Sequence, residues 1–503
     1  MCFRSGSILS LALALALASP PVCLAQKAAL DESIRKREEQ SWSAALRIWK
    51  WAEPGYQETK SSALLAGMLE DAGFKITRKV AGIPTAFTAT YGDGKPVIGL
   101  VGEFDALPGL SQEAVPYRQP RDDGTYGHAC GHHLFGVASG SAAIALAEQI
   151  RAGTIKGTLR YYGCQAEEGG AAKVFMAREG LFDDCDAVLH WHPGSRNAAG
   201  DVSSMARIAA KFRFRGKGAH AAGSPQAGRS ALDAVEITNH AAELLREHTP
   251  DFTRIHHVIT AGGDAPNVVP EFAEVYFYVR HPDAAVARSV YRRLELCAQA
   301  GALATETKLE IDYLGGTLEL LPNSALSQVT LMNLRALNDL DLTAEERQFA
   351  VKIQETLDEP RSLDSLHDVI DQTGQTGRGS SDMGDVSWVV PTTGFNTACW
   401  VPGTPGHSWQ ACATGGTSIG RKGMQLAARV LAASAWDLYH SPETLAAAKA
   451  EFRRRLGERK YESLMLPGQK PALDYRNPPR ARALTNEENL PATGTKAGSQ
   501  DRK

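Results

Sequence analysis

Residues 97–108 have the sequence Val-Ile-Gly-Leu-Val-Gly-Glu-Phe-Asp-Ala-Leu-Pro, an apolar run that ends in two carboxylates. The run Val97–Val101 is short and wholly uncharged, which is typical of a strand buried on both faces of a sheet. Glu103 and Asp105 follow it directly. The stretch therefore predicts a buried strand with acidic side chains at its carboxyl end, the end at which open α/β sheets bind their ligands.

Similar short apolar runs follow towards the C-terminus. Thr158–Tyr162 and Ala187–His190 are two more short apolar runs, and Phe135–Ile150 has the pattern of a helix. Strands that alternate with helices in this way form largely parallel sheets. The sequence therefore predicts an α/β catalytic domain with a mostly parallel sheet and helices on both faces.

The pattern changes at Met205. Arg207–Phe214 alternates like a half-exposed strand, and helical and strand-like segments then follow one another as far as Tyr313. This predicts an inserted α+β domain of ferredoxin-like type. The predicted boundaries are 1–25 for a signal peptide, 26–205 and 322–445 for the two parts of the catalytic domain, 206–321 for the inserted domain and 446–503 for a C-terminal extension. The Pro-rich, polar sequence from Pro467 onward is expected to be extended or disordered.

Length, composition and charge exclude several classes of protein. The length of 503 residues corresponds to about three domains. Hydrophobic residues make up 43% and charged residues 22%, which excludes a disordered, collagenous or multi-span membrane protein. The net charge of −3, from 54 basic and 57 acidic side chains, gives no basic excess with which to bind nucleic acid or an anionic membrane.

The N-terminus has the features of a secretory signal peptide. Arg4 precedes the apolar run Ile8–Ala18, and Cys23-Leu24-Ala25 offers small residues for cleavage. The run is shorter than the ~20 residues that span a bilayer, so a membrane anchor is the weaker interpretation, as is a lipoprotein attached through Cys23. We therefore expect an exported protein, periplasmic or secreted, with no membrane association after cleavage.

Six cysteines remain after the predicted leader is removed, too few for a disulfide-based scaffold. Cys399 and Cys412 could pair in an oxidising compartment. Cys130 lies in the sequence Gly127-His128-Ala129-Cys130-Gly131-His132-His133. A bend at the glycine can direct Cys130 and His132 to one point, and a following helix would favour the thiolate that binds metals. A buried thiol beside polar loop histidines is the alternative, but the clustering favours a metal site.

Other candidate ligands follow the remaining strands. Glu167 and Glu168 come after the strand at 158–162, His190 and His192 share one face of a strand, and His407 lies in a Gly- and Pro-rich loop. Each alone has an ordinary structural explanation, such as a solvated turn or a surface histidine. Together they would meet at one edge of the sheet, and they exceed the roughly three protein ligands of one catalytic zinc ion. Two metals that share a ligand fit the number better.

These motifs run in a known family's order through nearly the whole mature chain: Gly102–Pro108, Gly127–His133, Glu167–Gly169, His190–Pro193, Gly218–Ala222, Asn267–Pro270, Ser380–Trp388 and Gly406–Ser408. Together they resemble the dinuclear metallohydrolases that include aminoacylases, glutamate carboxypeptidases and auxin-conjugate amidohydrolases. The resemblance implies that the inserted domain acts as a lid and dimerisation domain.

The resemblance also implies roles for single residues. Cys130 would bridge the metals, His132 and His190 would complete one ligand set, and Glu168 and His407 the other. Glu167 would be the general base and Asp105 an acid that orients a ligand. His220, Asn267 and Arg280 would hold the carbonyl oxygen and free carboxylate of the substrate, His220 also assisting catalysis. His192 is a rival for His190, although the His-x-x-Pro spacing matches His190.

Two positions bear on which branch of the family, carboxypeptidase or amidohydrolase, this sequence resembles. Glu103 stands where the carboxypeptidase branch has a ligand histidine, and His133 stands where many amidohydrolases have aspartate. The expected function is hydrolysis of the amide of N-acyl or N-aroyl amino acids, such as aminobenzoyl-glutamate, by metal-activated water. The alternatives are an exported metallo-dipeptidase or carboxypeptidase, and a non-catalytic binding protein on the same scaffold. The expected cofactors are two divalent ions per chain, Mn²⁺ or Zn²⁺, and the expected assembly is a homodimer or a heterodimer of related chains.

Overall fold

The computed structural model describes the backbone of residues 20–476 and the side chains of residues 27–476. The side chains of the predicted signal peptide 1–25, and residues 477–503 of the predicted extension, lie outside this part. Within it, no helix has both the length and the apolar character needed to cross a membrane.

The strands, in chain order, are β1 Lys75–Arg78, β2 Phe87–Asp93, β3 Val97–Glu103, β4 Leu107–Pro108, β5 Tyr126–Gly127, β6 Gly157–Cys164, β7 Ala187–Gly194, β8 Asn197–Ala199, β9 Ala206–Arg215, β10 Arg254–Ala261, β11 Phe272–His281, β12 Lys308–Thr317, β13 Val369–Asp371 and β14 Thr392–Ala398. The α-helices are α1 Pro20–Lys36, α2 Glu38–Trp51, α3 Thr59–Asp71, α4 His132–Arg151, α5 Ala172–Arg178, α6 Ala231–Arg246, α7 Ala284–Thr305, α8 Ser324–Leu337, α9 Ala344–Gln354, α10 Met383–Ser387, α11 Trp409–Gly415, α12 Ser418–His440 and α13 Pro442–Leu456.

The catalytic domain is built on an eight-stranded sheet of order β1-β2-β6-β3-β7-β14-β8-β13. Its four central strands, β6, β3, β7 and β14, run parallel to one another. All residues of β3 are buried, as the apolar sequence predicts, and the long buried helix α4 packs against this centre. The parallel strands therefore bring their carboxyl ends, and the residues that follow them, to one edge of the sheet.

The inserted domain, which we call the lid, is a four-stranded antiparallel sheet of order β10-β11-β9-β12 with α6 and α7 packed on it. Its alternating strands bury one face, including Phe212, Phe214 and Phe277, in a hydrophobic core separate from that of the catalytic domain. The predicted fold class, a mostly parallel α/β domain with an inserted α+β domain, is confirmed. The edge strand β10 was not predicted, because its polar and apolar residues do not alternate and most of its side chains are exposed.

One smaller expectation is wrong. Cys399 and Cys412 are both buried free thiols, and Cys399 lies beside Thr397 whereas Cys412 lies beside Trp49. The predicted C-terminal extension is described as far as Arg476. Its residue Gln469 contacts both domains, because its side chain donates a hydrogen bond to Leu314 of the lid and its carbonyl oxygen accepts one from Arg178 of α5.

Candidate dinuclear metal centre

Cys130, His132 and His192 form one group of potential metal ligands. One ligand atom of each lies within 4.8 Å of the others. The Nε2 atom of His192 is 3.3 Å from the Cys130 sulfur, and the two imidazole rings are 5.5 Å apart at an angle of 84°. A thiolate and two imidazoles are ligands that suit a borderline-soft divalent cation.

The turn at Gly131 explains why His192 joins this group. Gly131 precedes α4 with a φ of 76°, a conformation that favours glycine, and a Cβ atom there would lie 2.7 Å from Pro193. The absence of a side chain lets the loop pass directly over the end of β7. Cys130 is thereby set beside the residue that immediately precedes Pro193, which is His192.

The expectation that His190 is a ligand is corrected by this geometry. His190 faces Gly394 across the neighbouring strand β14, and a Cβ atom on Gly394 would lie 2.3 Å from the His190 ring. Its Nε2 atom is buried without a hydrogen-bond partner, and it joins no group of three ligands in the described part of the chain. Burial, with His192 and Lys173 nearby, lowers the pKa of His190 to about 3.

Cys130, Glu168 and His407 form a second group of ligands. The Glu168 carboxylate lies 3.2 Å from the His407 Nε2 atom, and it is nearly buried although His407 is exposed. Cys130 belongs to both groups, so one thiolate is placed between two possible cation positions. The structure thus brings together four of the five residues predicted as metal ligands and replaces the fifth, His190, with His192.

Asp105 contacts His132, the ligand that its predicted role would orient. The carboxylate of Asp105 lies 2.9 Å from His132 Nδ1 and also accepts a hydrogen bond of 3.0 Å from the Glu168 backbone amide. Burial alone would raise the pKa of Asp105, but the adjacent His132 and the amide lower it to about 2. Asp105 therefore remains ionised, and it fixes the ring so that Nε2 points to the cluster.

Glu167 lies beside Glu103 and His132 in a third group of close polar atoms. Burial raises the pKa of Glu167 well above its ordinary value, and the neighbouring carboxylates of Glu103 and Glu168 add to this effect. A carboxylate with a raised pKa next to metal ligands is suited to accept and return a proton. The position is the one that the sequence predicts for the general base.

Lys173 is a residue of this site that the sequence pattern did not predict. Its ammonium group is completely buried, 2.8 Å from Glu103 and 2.5 Å from Asp382. Asp382 also accepts a hydrogen bond from the Lys173 backbone amide. The signal available in the sequence is one lysine within the otherwise apolar start of α5, a position where a charge needs a partner.

The donor atoms fit a bound cation. The buried Glu103 Oε2 atom lies 3.1 Å from His132 Nε2, and the buried Glu168 Oε1 atom lies 3.2 Å from His407 Nε2. Buried carboxylates and a thiol stand close together, and burial with Glu168 nearby raises the pKa of the Cys130 thiol. Such a concentration of buried acidic groups is costly unless a positive charge offsets it. Buried carboxylates, a shared thiol and imidazoles that lie close together therefore match a site for divalent cations.

The lid contributes one of its three predicted residues to this site in the single chain. Arg280, the penultimate residue of β11, donates a hydrogen bond of 3.1 Å to Ser380. Burial and the neighbouring Arg207 lower the pKa of Arg280, and the nearby Glu167 opposes this shift. His220 and Asn267 are exposed and adjacent, joined by the bridge between His220 and Val268. No described contact links these two to the metal-ligand groups.

His133 makes structural contacts away from the ligand groups. Its Nε2 atom lies 3.1 Å from the carbonyl oxygen of Gly415, and its ring packs against that of His128. Burial lowers the pKa of His133 to about 3, so it remains neutral. Its side chain is turned to α11 and not to the ligand groups, which accounts for the departure from the aspartate common at this position.

Comparison with known proteins agrees with this architecture. Residues 203–305 match the family model described as the M20 peptidase dimerisation domain. The chain is 39% identical over 439 residues to the B chain of the p-aminobenzoyl-glutamate hydrolase of Escherichia coli, covering 82% of this chain and 91% of that relative. It is 27% identical to the Xaa-Arg dipeptidase of Mus musculus, covering 85% of this chain and 92% of the relative.

A solved structure shares the fold. The M20-family protein YXEP of Bacillus subtilis, described as a dinuclear metal binding peptidase, superposes with a TM-score of 0.55 at 16% identity, covering 81% of this chain and 99% of that one. The α/β domain, its cluster of ligands and the inserted lid together define a metallopeptidase-like hydrolase. The chain belongs to the M20 family of peptidases and amidohydrolases, and it is an amidohydrolase.

Proposed function

We propose that this protein is a metal-dependent amidohydrolase that cleaves N-acyl or N-aroyl amino acids at a dinuclear centre. The observation that carries the proposal is the sharing of Cys130 between two groups of potential ligands, one with His132 and His192 and one with Glu168 and His407. A binding protein would need neither this arrangement nor a buried base beside it.

The chain's own residues have distinct parts in the reaction. Two divalent cations bound here would lower the pKa of water and polarise the amide carbonyl. Glu167 accepts the proton of the attacking water and returns it to the leaving nitrogen. Asp105 keeps His132 oriented through Nδ1, and Glu103, which is paired with Lys173, lies at the other ring nitrogen of His132. Arg280 binds the free carboxylate next to the scissile amide through its planar guanidinium.

The proposed substrate class follows from the relative that is 39% identical to this chain. That relative is named for p-aminobenzoyl-glutamate, an aroyl amide of an amino acid. The second relative is named as a dipeptidase, which supports the alternative that this chain cleaves dipeptides. Cys130 and Glu103 favour the amidohydrolase interpretation, since the resemblance assigns aspartate and histidine there to the carboxypeptidase branch.

We infer that the functional unit is a dimer, either of two copies of this chain or of this chain with a related one. The matched dimerisation domain supports this, and so does the exposed edge strand β10, on which Val258 and Ile259 are 55% and 43% exposed. His220 and Asn267 lie exposed on the same domain. In a dimer they would serve the partner's site, where His220 would stabilise the carbonyl oxygen of the substrate.

Export is a separate proposal that rests on the N-terminal sequence. Arg4, the apolar run Ile8–Ala18 and the small residues before Gln26 support cleavage after Ala25. Amino-terminal sequencing of the protein recovered from its host's extracytoplasmic fraction should begin at Gln26. Recovery of the full chain in the cytoplasm would contradict export.

A substrate panel with parallel metal analysis tests the proposed function. Purified protein should hydrolyse N-benzoyl and N-aminobenzoyl amino acids faster than the matched dipeptides, and the same samples should contain divalent metal. Loading with Mn²⁺ or Zn²⁺ separately would decide which ion supports turnover. Faster cleavage of dipeptides would favour the alternative, and no cleavage of any amide by the metal-loaded protein would contradict the proposal.

A further inference from the structure

Residues 166–171 form a loop that carries the proposed base Glu167 and the proposed ligand Glu168, and we call it the carboxylate loop. Its first and last residues, Ala166 and Ala171, have positive φ angles of 50° and 55°. Residues other than glycine rarely adopt this conformation, and they keep it only where surrounding contacts enforce it. The positions of the two carboxylates therefore depend on the groups that hold this loop.

Hydrogen bonds from the catalytic domain hold part of the carboxylate loop. They join Ala166 to Glu58, Glu168 to Asp105 and Tyr56 to Gly170, at 3.0, 3.0 and 2.6 Å. The donors are the two backbone amides of the loop and the Tyr56 hydroxyl. These bonds leave the backbone carbonyl of Glu168 to a donor from another part of the chain.

That donor comes from the C-terminal segment 457–476, which we call the strap. Arg476 donates a hydrogen bond of 2.6 Å to the backbone carbonyl of Glu168. Its guanidinium carbon also lies 4.8 Å from the centre of the Tyr475 ring. A hydrogen bond from a charged donor is stronger than one between neutral groups. The far end of the described chain thus holds the backbone of a proposed metal ligand.

Tyr475 packs closely against the same loop. Its ring meets that of Tyr56 edge-on, with the centroids 5.7 Å apart. Two glycines make room for it, since a Cβ atom on Gly55 would overlap the Tyr475 hydroxyl and one on Gly169 would lie 2.9 Å from the Tyr475 ring. The strap therefore contacts the loop through complementary shape as well as through the bond from Arg476.

The strap is anchored before it reaches the carboxylate loop. Tyr313 of β12 donates a hydrogen bond of 2.7 Å to the carbonyl of Leu464, and Tyr461 donates one of 3.0 Å to Asp385 of α10. Gln469 further along is bonded to both domains. Because these bonds fix its course between the lid and the catalytic domain, the strap reaches the loop as a rigid support.

We propose that Arg476 is a positioning residue, which holds the Glu168 carbonyl and so sets the orientation of the Glu167 and Glu168 carboxylates. The inference rests on the proposed function, in which Glu167 is the base and Glu168 a metal ligand. Loss of the Arg476 bond leaves both acids in the chain but lets the strained loop relax. A misplacement of about 1 Å is enough to reduce catalysis strongly.

Arg476→Met tests this role, because it removes the donor and keeps an apolar stem over Tyr475. In the metal-loaded protein it should lower kcat on an N-benzoyl amino acid by about tenfold or more and change KM by less than about twofold. Arg476→Lys keeps a charged donor and should recover part of kcat. Lys470→Met, which removes an exposed charge from the same strap, is the matched control and should change neither constant.

Two further measurements on these variants do not depend on turnover. Calorimetric titration of Arg476→Met with Zn²⁺ should show one metal dissociation constant raised by about tenfold and the other unchanged, because only the ligand group that contains Glu168 is disturbed. In the metal-free protein, backbone amides of residues 166–171 should exchange hydrogen faster than in the wild type, whereas those of α4 should not.

The outcomes separate this inference from the proposed function. Unchanged kcat, metal affinity and exchange in Arg476→Met, with amide hydrolysis by the wild type, would overturn the positioning role and leave the amidohydrolase proposal intact. An equal fall in both metal affinities would also overturn it, because general destabilisation acts on both ligand groups alike. Selective loss of one metal and faster loop exchange, without hydrolysis of any amide by the wild type, would support the positioning of Glu168 and contradict the amidohydrolase proposal.

Discussion

The imidazole Nε2 of His192 lies 3.3 Å from the sulfur of Cys130, whereas His190, on the same strand, packs against Gly394. Replacing His192 by Ala should therefore remove a ligand and lower the bound metal from about two ions per chain to about one. Elemental analysis of the purified variant measures this directly.

His190→Asn is the matched control, since it changes a histidine of the same strand that joins no ligand group among the described residues. It should keep both metals. The reverse result, with metal lost in His190→Asn and kept in His192→Ala, would restore the assignment that the His-x-x-Pro spacing suggests.

Glu167 and Glu168 are neighbours with different expected roles. Glu167→Gln should retain the fold and the metal but lose about 10²–10⁴ in turnover, because the amide cannot accept the proton of water. Glu168→Gln should weaken metal binding as well, because it removes a ligand oxygen. Steady-state rates and metal content of the two variants, measured side by side, distinguish the roles. Near-wild-type turnover in Glu167→Gln would refute its assignment as the base.

The buried Lys173 stabilises the site through Glu103 and Asp382. Lys173→Met leaves two buried carboxylates without their partner, and breaking a buried ion pair on one side typically costs about 3–5 kcal/mol. Denaturant unfolding of the metal-loaded protein should show a loss of this order. Adding Asp382→Asn to Lys173→Met should recover part of it, because the second charge is then removed.

The exposed Lys156 provides the comparison for this experiment. Lys156→Met should change the free energy of unfolding by less than about 0.5 kcal/mol, as surface substitutions usually do. An equally small effect of Lys173→Met would mean that the buried cluster contributes nothing to stability.

The proposed function assigns Arg280 to the carboxylate adjacent to the scissile amide. Lysine cannot reproduce the bidentate grip of a guanidinium, and removing one charged pair in a closed site costs about 2–5 kcal/mol. Arg280→Lys should therefore lower kcat/KM on an N-acyl amino acid far more than on its methyl ester. Equal losses on acid and ester would leave Arg280 with a structural role, such as its hydrogen bond to Ser380.

The sequence predicted three of the four central strands, those that contain Val97, Thr158 and Ala187, because they are short, mostly apolar and bounded by breakers. The ligand-bearing loops follow from the same logic, since carboxyl ends of parallel strands share one edge. What sequence pattern could not decide was which of two histidines on one face of β7 meets Cys130. That choice depends on the close approach of Gly131 to Pro193, a contact between distant segments.

Other residues near the site could not be predicted from the local sequence pattern, for the same reason. Arg476 bonds to a carbonyl 308 positions away, and nothing in the polar sequence around it marks it as different from its neighbours. Lys173 carried a weak signal, a charge in an apolar helix start, but its partners Glu103 and Asp382 come from separate segments. Tertiary contacts of this kind assemble a site from residues that are individually ordinary.

The central claim is that catalysis depends on two divalent cations that share Cys130. The most direct measurement is a titration of chelator-stripped protein with Mn²⁺ or Zn²⁺, with bound metal and hydrolysis of an N-acyl amino acid followed in the same samples. We expect no activity without metal and a rise that reaches its plateau at about two equivalents per chain. Full activity in stripped protein that contains no divalent metal would contradict the claim.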